Sequence, residues 1–555
     1  MSMNVHSNKK LSTGSPRFEG QELQELARQQ GDSAAWLALL QRAAPAEAAR
    51  QVQGSFAVGL TRENGEVFLA VDRFAVESIC YRVDDDGLHF ASRADELGRA
   101  EDIDPQAIFD YLYFHVIPAP RTIYRDVFRL PAGHYAHYAN GKLSIAPHWV
   151  PRFEPAREAS FEQLRDEFRQ TLREAVATQL DGGKPGCFLS GGTDSSTVAG
   201  TAAQVSGRGA ATYSIGFEAE GYDEMAYARI AAKHFKTEHH EYYVTPQDLV
   251  RSVPEVAAWY DQPFGNSSAL PAFYCARMAR EDGVTKILAG DGGDELFGGN
   301  TRYAKQKVFG VYDNLPAHAL LEGFAGQAWA QAVPGISKVA SYINQAKVGM
   351  PARMHTYNLL ERLGMDEVLG AGFLQRIDRA EPRRHQQATW DQLKSGDLVD
   401  RMLAYDWRYT LADCDLPKVC GTTRLAGLNV GFPMLDDRLL AFSARLPAGY
   451  KVRGLKLRWF FKEALRGFLP DEIITKKKQG FGLPFGVWAH RDAALQKLAR
   501  ESVEGLVERG IIRADFSQQL FSSYLPAHPG YYGEMIWISM MLEQWLRRHA
   551  PAYRI

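Results

Sequence analysis

The chain has 555 residues, which is too long for a single hydrophobic core and predicts two or three domains. Its composition, with 45% hydrophobic and 23% charged residues, is ordinary for a soluble globular protein. The formal net charge of -2 gives no electrostatic reason to expect a nucleic acid or an acidic membrane surface as a partner.

The first twenty residues are polar and lack the apolar segment of a signal peptide, so we expect residues 1–20 to form a disordered tail. No run of about 18 apolar residues occurs, which excludes a membrane-spanning helix. The five cysteines are scattered and form no C-x-x-C pair, which is typical of reduced thiols rather than of disulfides or a zinc site. These features predict a cytoplasmic protein.

Three hairpins are predicted in the first part of the chain, because short β-rich runs flank turns that contain Asn-Gly or Asp-Gly. The turns are Glu63-Asn64-Gly65, Asp84-Asp85-Asp86-Gly87 and Asn140-Gly141. They indicate an antiparallel β-rich domain, to which we assign residues 21–150. Three prolines in a charged stretch, residues 147–158, indicate a linker behind it.

A second domain, residues 160–550, is predicted to be α/β. Apolar residues at helical spacing predict a helix at residues 161–180, and a short apolar run predicts a strand at residues 186–189. A glycine turn follows, and a new helix begins at Ser195, which is the opening of a nucleotide-binding α/β unit. Further parallel strands are predicted at residues 211–217 and 286–289, and the chain after residue 300 is predicted to be mostly helical.

Residues 188–196, FLSGGTDSS, predict a phosphate-binding turn. A glycine-rich turn at a helix N-terminus presents unpaired N–H groups and the positive end of the helix dipole to an anion. Asp194 would repel a phosphate unless a metal ion lay between them, which favours Mg²⁺. A plain capped turn is the alternative. The candidate phosphate-binding residues are Ser190, Gly191, Gly192 and Ser195.

A second glycine-rich loop follows the strand predicted at residues 286–289. In AGDGGDELFGG, residues 289–299, Asp291, Asp294 and Glu295 stand among closely spaced glycines. Carboxylates in such a loop suit Mg²⁺ at a phosphate site. An acidic surface loop is the alternative.

The two motifs together resemble the adenine-nucleotide alpha hydrolase, or PP-loop, architecture, and more narrowly the asparagine synthetase family of amidotransferases. The resemblance covers the chain from about residue 54 to residue 546. It implies an antiparallel β-sandwich of the glutaminase (N-terminal nucleophile) type, followed by a PP-loop domain with a helical extension. Further matching stretches are residues 221–224, 239–241, 261–263, 433–436 and 476–481.

The resemblance also implies roles in the use of ATP. Asp194 and Asp294 would hold Mg²⁺ between the β- and γ-phosphates, and Lys478 would stabilise the charge on the α-phosphate. Three consecutive lysines are also typical of a solvated loop, which is the alternative for Lys478. The positions expected to contact adenine and ribose are Phe188, Ile215 and Gly290.

The implied chemistry is adenylation of a carboxylate followed by attack of a nitrogen nucleophile. Asp291 occupies the position where relatives carry Glu or Tyr near the reacting amine. Asp291, with Asp413, is therefore a candidate to accept a proton from the nitrogen.

The chain departs from the family at the glutamine site. Members that use glutamine begin with a cysteine whose thiol attacks the glutamine amide, whereas this chain begins Met1-Ser2-Met3. The arginine-glycine-proline-aspartate stretch is missing between residues 20 and 53. Residues 71–74 and 90–92 still resemble later glutaminase segments. We therefore expect a degenerate glutaminase-like domain that does not hydrolyse glutamine. A separate source of ammonia is then a possible partner.

A second departure lies before residues 433–436. Cys420 replaces an aspartate of the family pattern, and Gly431 replaces an arginine. The loss of charge next to the acceptor pocket puts aspartate as the substrate in doubt. A repacked structural network is the alternative explanation.

The function predicted is an ATP-dependent, AMP-forming amide ligase that joins a small-molecule or peptide carboxylate to ammonia or an amine. Asparagine synthesis, a specialised acceptor, and an intramolecular cyclase of the β-lactam or lasso peptide type all stay open. A tRNA-modifying enzyme is disfavoured by the scattered cysteines and the near-zero charge. A non-catalytic ATP-binding scaffold is a further alternative, and a homodimer is an open possibility.

Overall fold

The computed structural model describes residues 9–180, 182–207, 209–313, 342–477 and 482–555. The N-terminal part is antiparallel and β-rich. Its strands are β1 (Lys10–Gly14), β2 (Arg17–Phe18), β3 (Val52–Gln53), β4 (Phe56–Thr61), β5 (Val67–Val71), β6 (Cys80–Asp84), β7 (Gly87–Ala91), β8 (Phe128–Arg129), β9 (His134–Ala139) and β10 (Lys142–Pro147). Its helices are α1 (Gln21–Gln30), α2 (Asp32–Arg42), α3 (Pro45–Arg50) and α4 (Pro105–Phe114).

The N-terminal strands form a five-stranded sheet in the order β1-β4-β5-β9-β10 and a three-stranded sheet in the order β7-β6-β8. The three predicted hairpins are confirmed as the pairs β4–β5, β6–β7 and β9–β10. At the last turn, Asn140 and Gly141 both have positive φ, 51° and 72°, as a two-residue hairpin turn requires.

The expected disordered tail is wrong for part of residues 1–20. Strand β1 pairs along its whole length with β4, from Lys10 opposite Leu60 to Gly14 opposite Phe56. The polar residues of β1 misled the prediction, because this strand lies at the edge of its sheet and buries little side-chain surface. Residues 1–8 lie outside the described residues.

Both faces of the five-stranded sheet are covered. On one face, helices α1 to α3 bring the buried Trp36 ring to 5.2 Å from Phe56 and 6.0 Å from Phe68. On the other face, Leu69 of β5 packs with Phe90 of β7. Because neighbouring residues of a strand point to opposite faces, β4 and β5 are apolar at nearly every position.

The C-terminal part is built on a parallel sheet in the order β13-β12-β11-β14-β15. The chain moves outward from β11 to β13 and then crosses to β14 on the other side of β11, which makes the β11–β14 crevice a topological switch point where ligands bind. The strands predicted at residues 186–189, 211–217 and 286–289 are confirmed. The five strands are β11 (Gly186–Phe188), β12 (Ala211–Phe217), β13 (Glu238–Val244), β14 (Lys286–Leu288) and β15 (Asn429–Gly431).

Helices surround this sheet and make up most of the chain after it. In chain order they are α5 (Phe161–Ala177), α6 (Thr193–Ser206), α7 (Met225–Phe235), α8 (Pro246–Trp259), α9 (Ala269–Glu281), α10 (Gly293–Phe297), α11 (Thr301–Asp313), α12 (Leu359–Leu363), α13 (Met365–Val368), α14 (Ala371–Leu374), α15 (Glu381–Gln392), α16 (Leu398–Asp406), α17 (Leu416–Leu425), α18 (Asp437–Arg445), α19 (Ala448–Lys451), α20 (Trp459–Ala464), α21 (Asp471–Thr475), α22 (Phe485–Arg491), α23 (Ala493–Glu508), α24 (Ala514–Gln519), α25 (Leu525–Ala527) and α26 (Pro529–His549). The described residues also contain two π-helical turns, Trp407–Asp415 and Leu520–Tyr524, and a small hairpin of β16 (Val452–Arg453) with β17 (Lys456–Leu457).

Local sequence explains the first helix of the α/β domain. The Ser160 side chain accepts a hydrogen bond from the Gln163 N–H, and the Gln163 side chain accepts one from the Ser160 N–H, which is a capping box at the start of α5. Leu164, Phe168 and Leu172 then form its buried face. Among the described residues, none of the helices is long and apolar enough to span a bilayer.

The two domains are joined by ion pairs at the start of α18. Asp437 binds the guanidinium of Arg73, and its Oδ2 lies 3.0 Å from Arg17 Nη2 and 2.7 Å from the Gly54 nitrogen. These contacts fix the N-terminal domain against the edge of the α/β domain, close to β15.

Candidate active site

The first glycine turn connects β11 to α6. Gly191 has φ 69°, and a Cβ there would lie 2.5 Å from the Ala228 nitrogen, so only glycine fits. The Ser195 hydroxyl accepts a hydrogen bond from the Ser190 N–H at 3.1 Å and lies 3.0 Å from the Ser190 hydroxyl. Helix α6 begins directly after Gly192, so its N-terminal N–H groups face the crevice between β11 and β14.

The second glycine loop lies directly against the first. A Cβ on Gly290 would lie 2.7 Å from the Ser195 nitrogen. A Cβ on Gly293 would overlap the carboxylate of Asp194, and one on Gly299 would overlap that of Asp294. The glycines of this loop therefore make room for the two carboxylates predicted to bind a metal.

Asp194 and Asp294 meet at one nitrogen atom. Arg458 Nη1 lies 2.5 Å from Asp194 Oδ2 and 2.8 Å from Asp294 Oδ1. The sequence predicted the approach of the two carboxylates but missed Arg458, which stands 264 residues after Asp194 in the basic segment directly before α20.

A single cavity of about 300 Å³ contains most of the predicted site. Gly191 supports the turn from behind and is not part of the cavity wall. The predicted residues that line it are Phe188, Ser190, Gly192, Asp194, Ser195, Ile215, Gly290, Asp291 and Asp294. Glu295, the third carboxylate of the second glycine loop, also lines the cavity, and the wall residues that the sequence did not assign to the site include Glu224, Ser268, Asp415, Lys418, Arg458, Lys476 and Lys477.

Asp291 is held by a buried lysine. Lys418 Nζ lies 3.5 Å from Asp291 Oδ1 and 3.0 Å from Asp415 Oδ1. Burial raises the pKa of the Asp291 carboxyl, although Lys418 pulls it down. Burial lowers the pKa of Lys418, but the carboxylates of Asp415 and Asp291 outweigh burial and raise that pKa above its usual value. The cavity wall thus holds the carboxyl group of Asp291 next to the charged amine of Lys418.

The structure does not bring Asp413 to the cavity. Its Oδ1 accepts a hydrogen bond from the Ala119 N–H at 3.3 Å, and its Oδ2 lies 3.3 Å from Arg408 Nε. The reason is helical geometry: Asp413 and Asp415 lie two residues apart on the turn Trp407–Asp415, so they point to different sides. Asp415 takes the place beside Asp291 that was predicted for Asp413.

Lys478 lies outside the described residues, but the segment before it reaches the site. Lys476 Nζ lies 2.7 Å from Glu224 Oε1, and both side chains are about nine-tenths buried. The same Nζ stands 4.5 Å from the centre of the Tyr227 ring, so Lys476 is fixed next to the first glycine turn. Lys477 also lines the cavity.

The two positions at which the chain departs from the family pattern, Cys420 and Gly431, lie outside the wall of the cavity. The Cys420 thiol is buried against the carbonyl of Val76 in the N-terminal domain. A Cβ on Gly431 would lie 2.7 Å from Gln179 Oε1 and 3.0 Å from Lys286 Cε, so these side chains fill the space there. Neither residue lines the cavity. Cys420 thus contacts the N-terminal domain, whereas Gly431 lies among side chains of the α/β domain.

The donors suit a nucleotide phosphate chain and a hard divalent cation. Asp194 Oδ1 is buried and has no hydrogen-bond partner among the described residues. A buried carboxylate oxygen without a hydrogen-bond donor is suited to bind a cation. Asp294 supplies a second carboxylate at the same point. Carboxylate oxygens next to a phosphate-binding helix N-terminus are ligands that Mg²⁺ prefers.

The parallel sheet, the phosphate-binding turn at its switch point and the carboxylate pair define a nucleotide-dependent α/β enzyme. Comparison with known families agrees: the asparagine synthase profile matches residues 167–547, and a glutamine amidotransferase domain profile matches residues 17–149. The chain belongs to the asparagine synthase family and is an ATP-dependent carbon–nitrogen ligase. The resemblance drawn from the sequence motifs and the predicted fold class are thereby confirmed.

Curated relatives support the assignment. The chain is 28% identical to a putative glutamine-hydrolysing asparagine synthetase of Mycobacterium tuberculosis, with 81% of this chain and 70% of the relative covered. It is 23% identical to asparagine synthetase 1 of Bacillus subtilis, with 90% and 78% covered. It is also 23% identical to the amidase ChyE of Penicillium rubens, with 82% and 74% covered.

Among solved structures, a glutamine phosphoribosylpyrophosphate amidotransferase from B. subtilis, complexed with ADP and GMP, shows 12% identity. The match covers 52% of this chain and 62% of that one, with a TM-score of 0.17.

Proposed function

We propose that this protein adenylates a carboxylate with ATP and Mg²⁺, joins it to ammonia or an amine, and does not hydrolyse glutamine itself. The observation that carries the proposal is one cavity that holds two sets of groups. One set is the glycine turn with Asp194, Asp294 and Arg458, and the other is Asp291 with Lys418.

The first set suits the adenylation step. The triphosphate would lie on the turn at the start of α6, where N–H groups and the helix dipole favour anions. The substrate carboxylate attacks the α-phosphorus, the bond to the bridging oxygen breaks, and pyrophosphate leaves with its electron pair. Mg²⁺ held by Asp194 and Asp294 would neutralise charge on the leaving pyrophosphate. Lys477, and Lys478 next to it in sequence, would supply further positive charge near the α-phosphate.

The second set suits the transfer to nitrogen. The nucleophile attacks the acyl carbon of the adenylate, the carbon–oxygen bond to AMP breaks, and one proton leaves the nitrogen. Asp291 lies in the cavity wall and would accept this proton, while Lys418 holds the carboxylate in place. Asp415 also forms an ion pair with Lys418, so the Lys418 ammonium is shared between the carboxylates of Asp415 and Asp291.

The absence of glutamine hydrolysis is supported by the state of the N-terminal domain. Cys80 is the single cysteine of residues 1–150, and burial raises its pKa to about 12, so it does not form a reactive thiolate. The region between residues 20 and 53, where the family's glutamine-binding stretch is missing, is occupied mainly by α1, α2 and α3, which cover the sheet. Nitrogen would therefore reach the cavity as free ammonia, as an amine, or from a separate glutaminase.

Three substrate classes are consistent with this site. They are aspartate with ammonia, a specialised acceptor with an amine, and a molecule that carries both the carboxylate and the amine and cyclises. Neither Cys420 nor Gly431 lines the cavity, so the loss of charge at these two positions does not by itself exclude the first class.

Exchange of labelled pyrophosphate into ATP, screened over a panel of carboxylates, tests the proposal. We expect exchange with at least one carboxylate, and amide formation when ammonia or an amine is added. Asp194→Asn should abolish exchange, whereas the matched control Asp366→Asn, at an exposed ion pair with Arg379, should not change it. No exchange with any member of a broad panel would favour a non-catalytic scaffold. Release of glutamate from glutamine by the purified protein alone would refute the proposal that the protein does not hydrolyse glutamine.

A further inference from the structure

Arg458 has an unusual place in the backbone. It stands directly before α20 in the left-handed region, with φ 51° and ψ 36°, a conformation that is unfavourable for side chains other than glycine and asparagine. Its N–H donates to the Gly298 carbonyl at 3.1 Å, at the end of the second glycine loop. The strained position is therefore tied to the loop that carries Asp294.

The side chain of Arg458 is buried and closely packed. The residue is 6% exposed, and a Cβ on Gly299 would lie 2.9 Å from Arg458 Cδ. The guanidinium enters the cavity wall next to the glycine turn. Its Nη1 lies within ion-pair distance of both Asp194 and Asp294, and its Nε is buried without a hydrogen-bond partner among the described residues.

This arrangement does two things. A positive charge between two partly buried carboxylates reduces the repulsion that would push them apart, and it holds Asp194 Oδ2, while Oδ1 has no hydrogen-bond partner among the described residues. A guanidinium also has five N–H donors, and the two carboxylates use only a part of them. The donors that remain suit phosphate oxygens, which arginine binds through paired hydrogen bonds.

We infer that Arg458 is a polyphosphate-binding residue that also positions Asp194 and Asp294. Its ligands are the triphosphate of a nucleotide and free pyrophosphate, and the adenosine part is bound elsewhere in the cavity. The inference rests on the proposed function for the identity of the nucleotide. The inference goes beyond the proposed function because it assigns the affinity for the phosphate chain to Arg458.

Binding without turnover tests this assignment. The affinities of the full chain for ATP, pyrophosphate and adenosine are measured by calorimetry with Mg²⁺, for the wild type, Arg458→Met and Arg458→Lys. The loss of a charged hydrogen-bond donor predicts about 10- to 100-fold weaker binding of ATP and pyrophosphate to Arg458→Met. Adenosine, which has no phosphate, should bind within about twofold of the wild type, and Arg458→Lys should recover part of the phosphate affinity because it keeps the charge.

A matched control separates binding from folding. Arg509 forms a similarly buried ion pair with Glu543 at 2.7 Å and does not line the cavity, so Arg509→Met should lower the melting temperature without changing the ratio of ATP to adenosine affinity. Equal ATP and pyrophosphate binding by Arg458→Met and the wild type would overturn the inference. A parallel loss of adenosine and ATP binding would overturn it as well, because it would show a purely structural role. Wild-type protein that binds ATP but exchanges no pyrophosphate would refute the proposed function and leave the role of Arg458 intact.

Discussion

Gly299 lies directly against Asp294: a Cβ on this glycine would overlap the carboxylate oxygen that contacts Arg458. Gly299→Ala should therefore displace Asp294 and lower the rate of pyrophosphate exchange at least tenfold, while the fold is retained. Gly396→Ala is the matched control, because its Cβ would meet no atom of the described residues within 4 Å. The pyrophosphate exchange rates of the two variants test this prediction, and circular dichroism checks that both variants are folded. Equal rates would show that Asp294 tolerates displacement.

The sequence predicted the parts of the fold that local signals determine. The three N-terminal hairpins have Asn-Gly or Asp-Gly turns between β-rich runs, and β11 and β12 are short apolar strands. It missed β13, Glu238–Val244, because EHHEYYV has neither an apolar run nor an alternating pattern. The strand forms because it pairs with β12 along seven residues, which is a tertiary effect.

The candidate site was predictable where its residues share a motif and unpredictable where they come together through the fold. Asp194 and Asp294 stand in glycine loops whose function follows from their composition. Arg458 and Lys418 stand in no glycine loop: Arg458 is one of five basic residues between positions 451 and 462, and Lys418 lies in helix α17. Asp413 was chosen over Asp415 because the sequence does not reveal the π-helical turn or which of its sides faces the cavity.

A pair of substitutions separates the two neighbouring aspartates. Asp415→Asn should lower kcat for amide formation about tenfold or more, because it removes a carboxylate that binds Lys418 beside Asp291. Asp413→Asn should leave kcat and KM within about threefold of the wild type and lower the melting temperature, because Asp413 binds Arg408 and the Ala119 N–H instead. Steady-state kinetics and thermal unfolding measure both effects. The opposite pattern would return Asp413 to the active site.

Restoring the family's arginine at position 431 should be harmful. In Gly431→Arg the new side chain would meet Gln179, Leu288 and Lys286, whose atoms lie within 3.0 Å of the position of its Cβ. Overpacking of this kind costs about 1–3 kcal/mol. The double variant Gln179→Ala with Gly431→Arg should recover part of the loss, because it opens space beside the new side chain. Denaturant unfolding measures the free energies, and a fully stable Gly431→Arg would show that the space is not filled.

His148 predicts a pH dependence of stability in the N-terminal domain. Its Nε2 donates to the Val71 carbonyl at 2.8 Å, and its Nδ1 is buried without a hydrogen-bond partner among the described residues, so a proton on Nδ1 has no acceptor. Burial lowers the pKa of His148 to about 4 from an ordinary value of 6.5. Because the unfolded chain binds this proton more readily, stability is fully present above pH 6.5 and is lost as the pH falls towards 4. The loss amounts to about 2 kcal/mol at pH 5.

His148→Gln tests this dependence, because glutamine keeps an N–H donor for Val71 and does not titrate. At pH 7.5 the variant should be less stable than the wild type by the cost of repacking alone. Between pH 7.5 and pH 5 it should lose about 2 kcal/mol less than the wild type does, when the free energy of unfolding is measured with urea at each pH. His355 and His385 are also buried with lowered pKa values, so the remaining slope of the variant reports on them. An unchanged slope would mean that the His148 ring is protonated in the folded protein, and that Nδ1 finds an acceptor when it is.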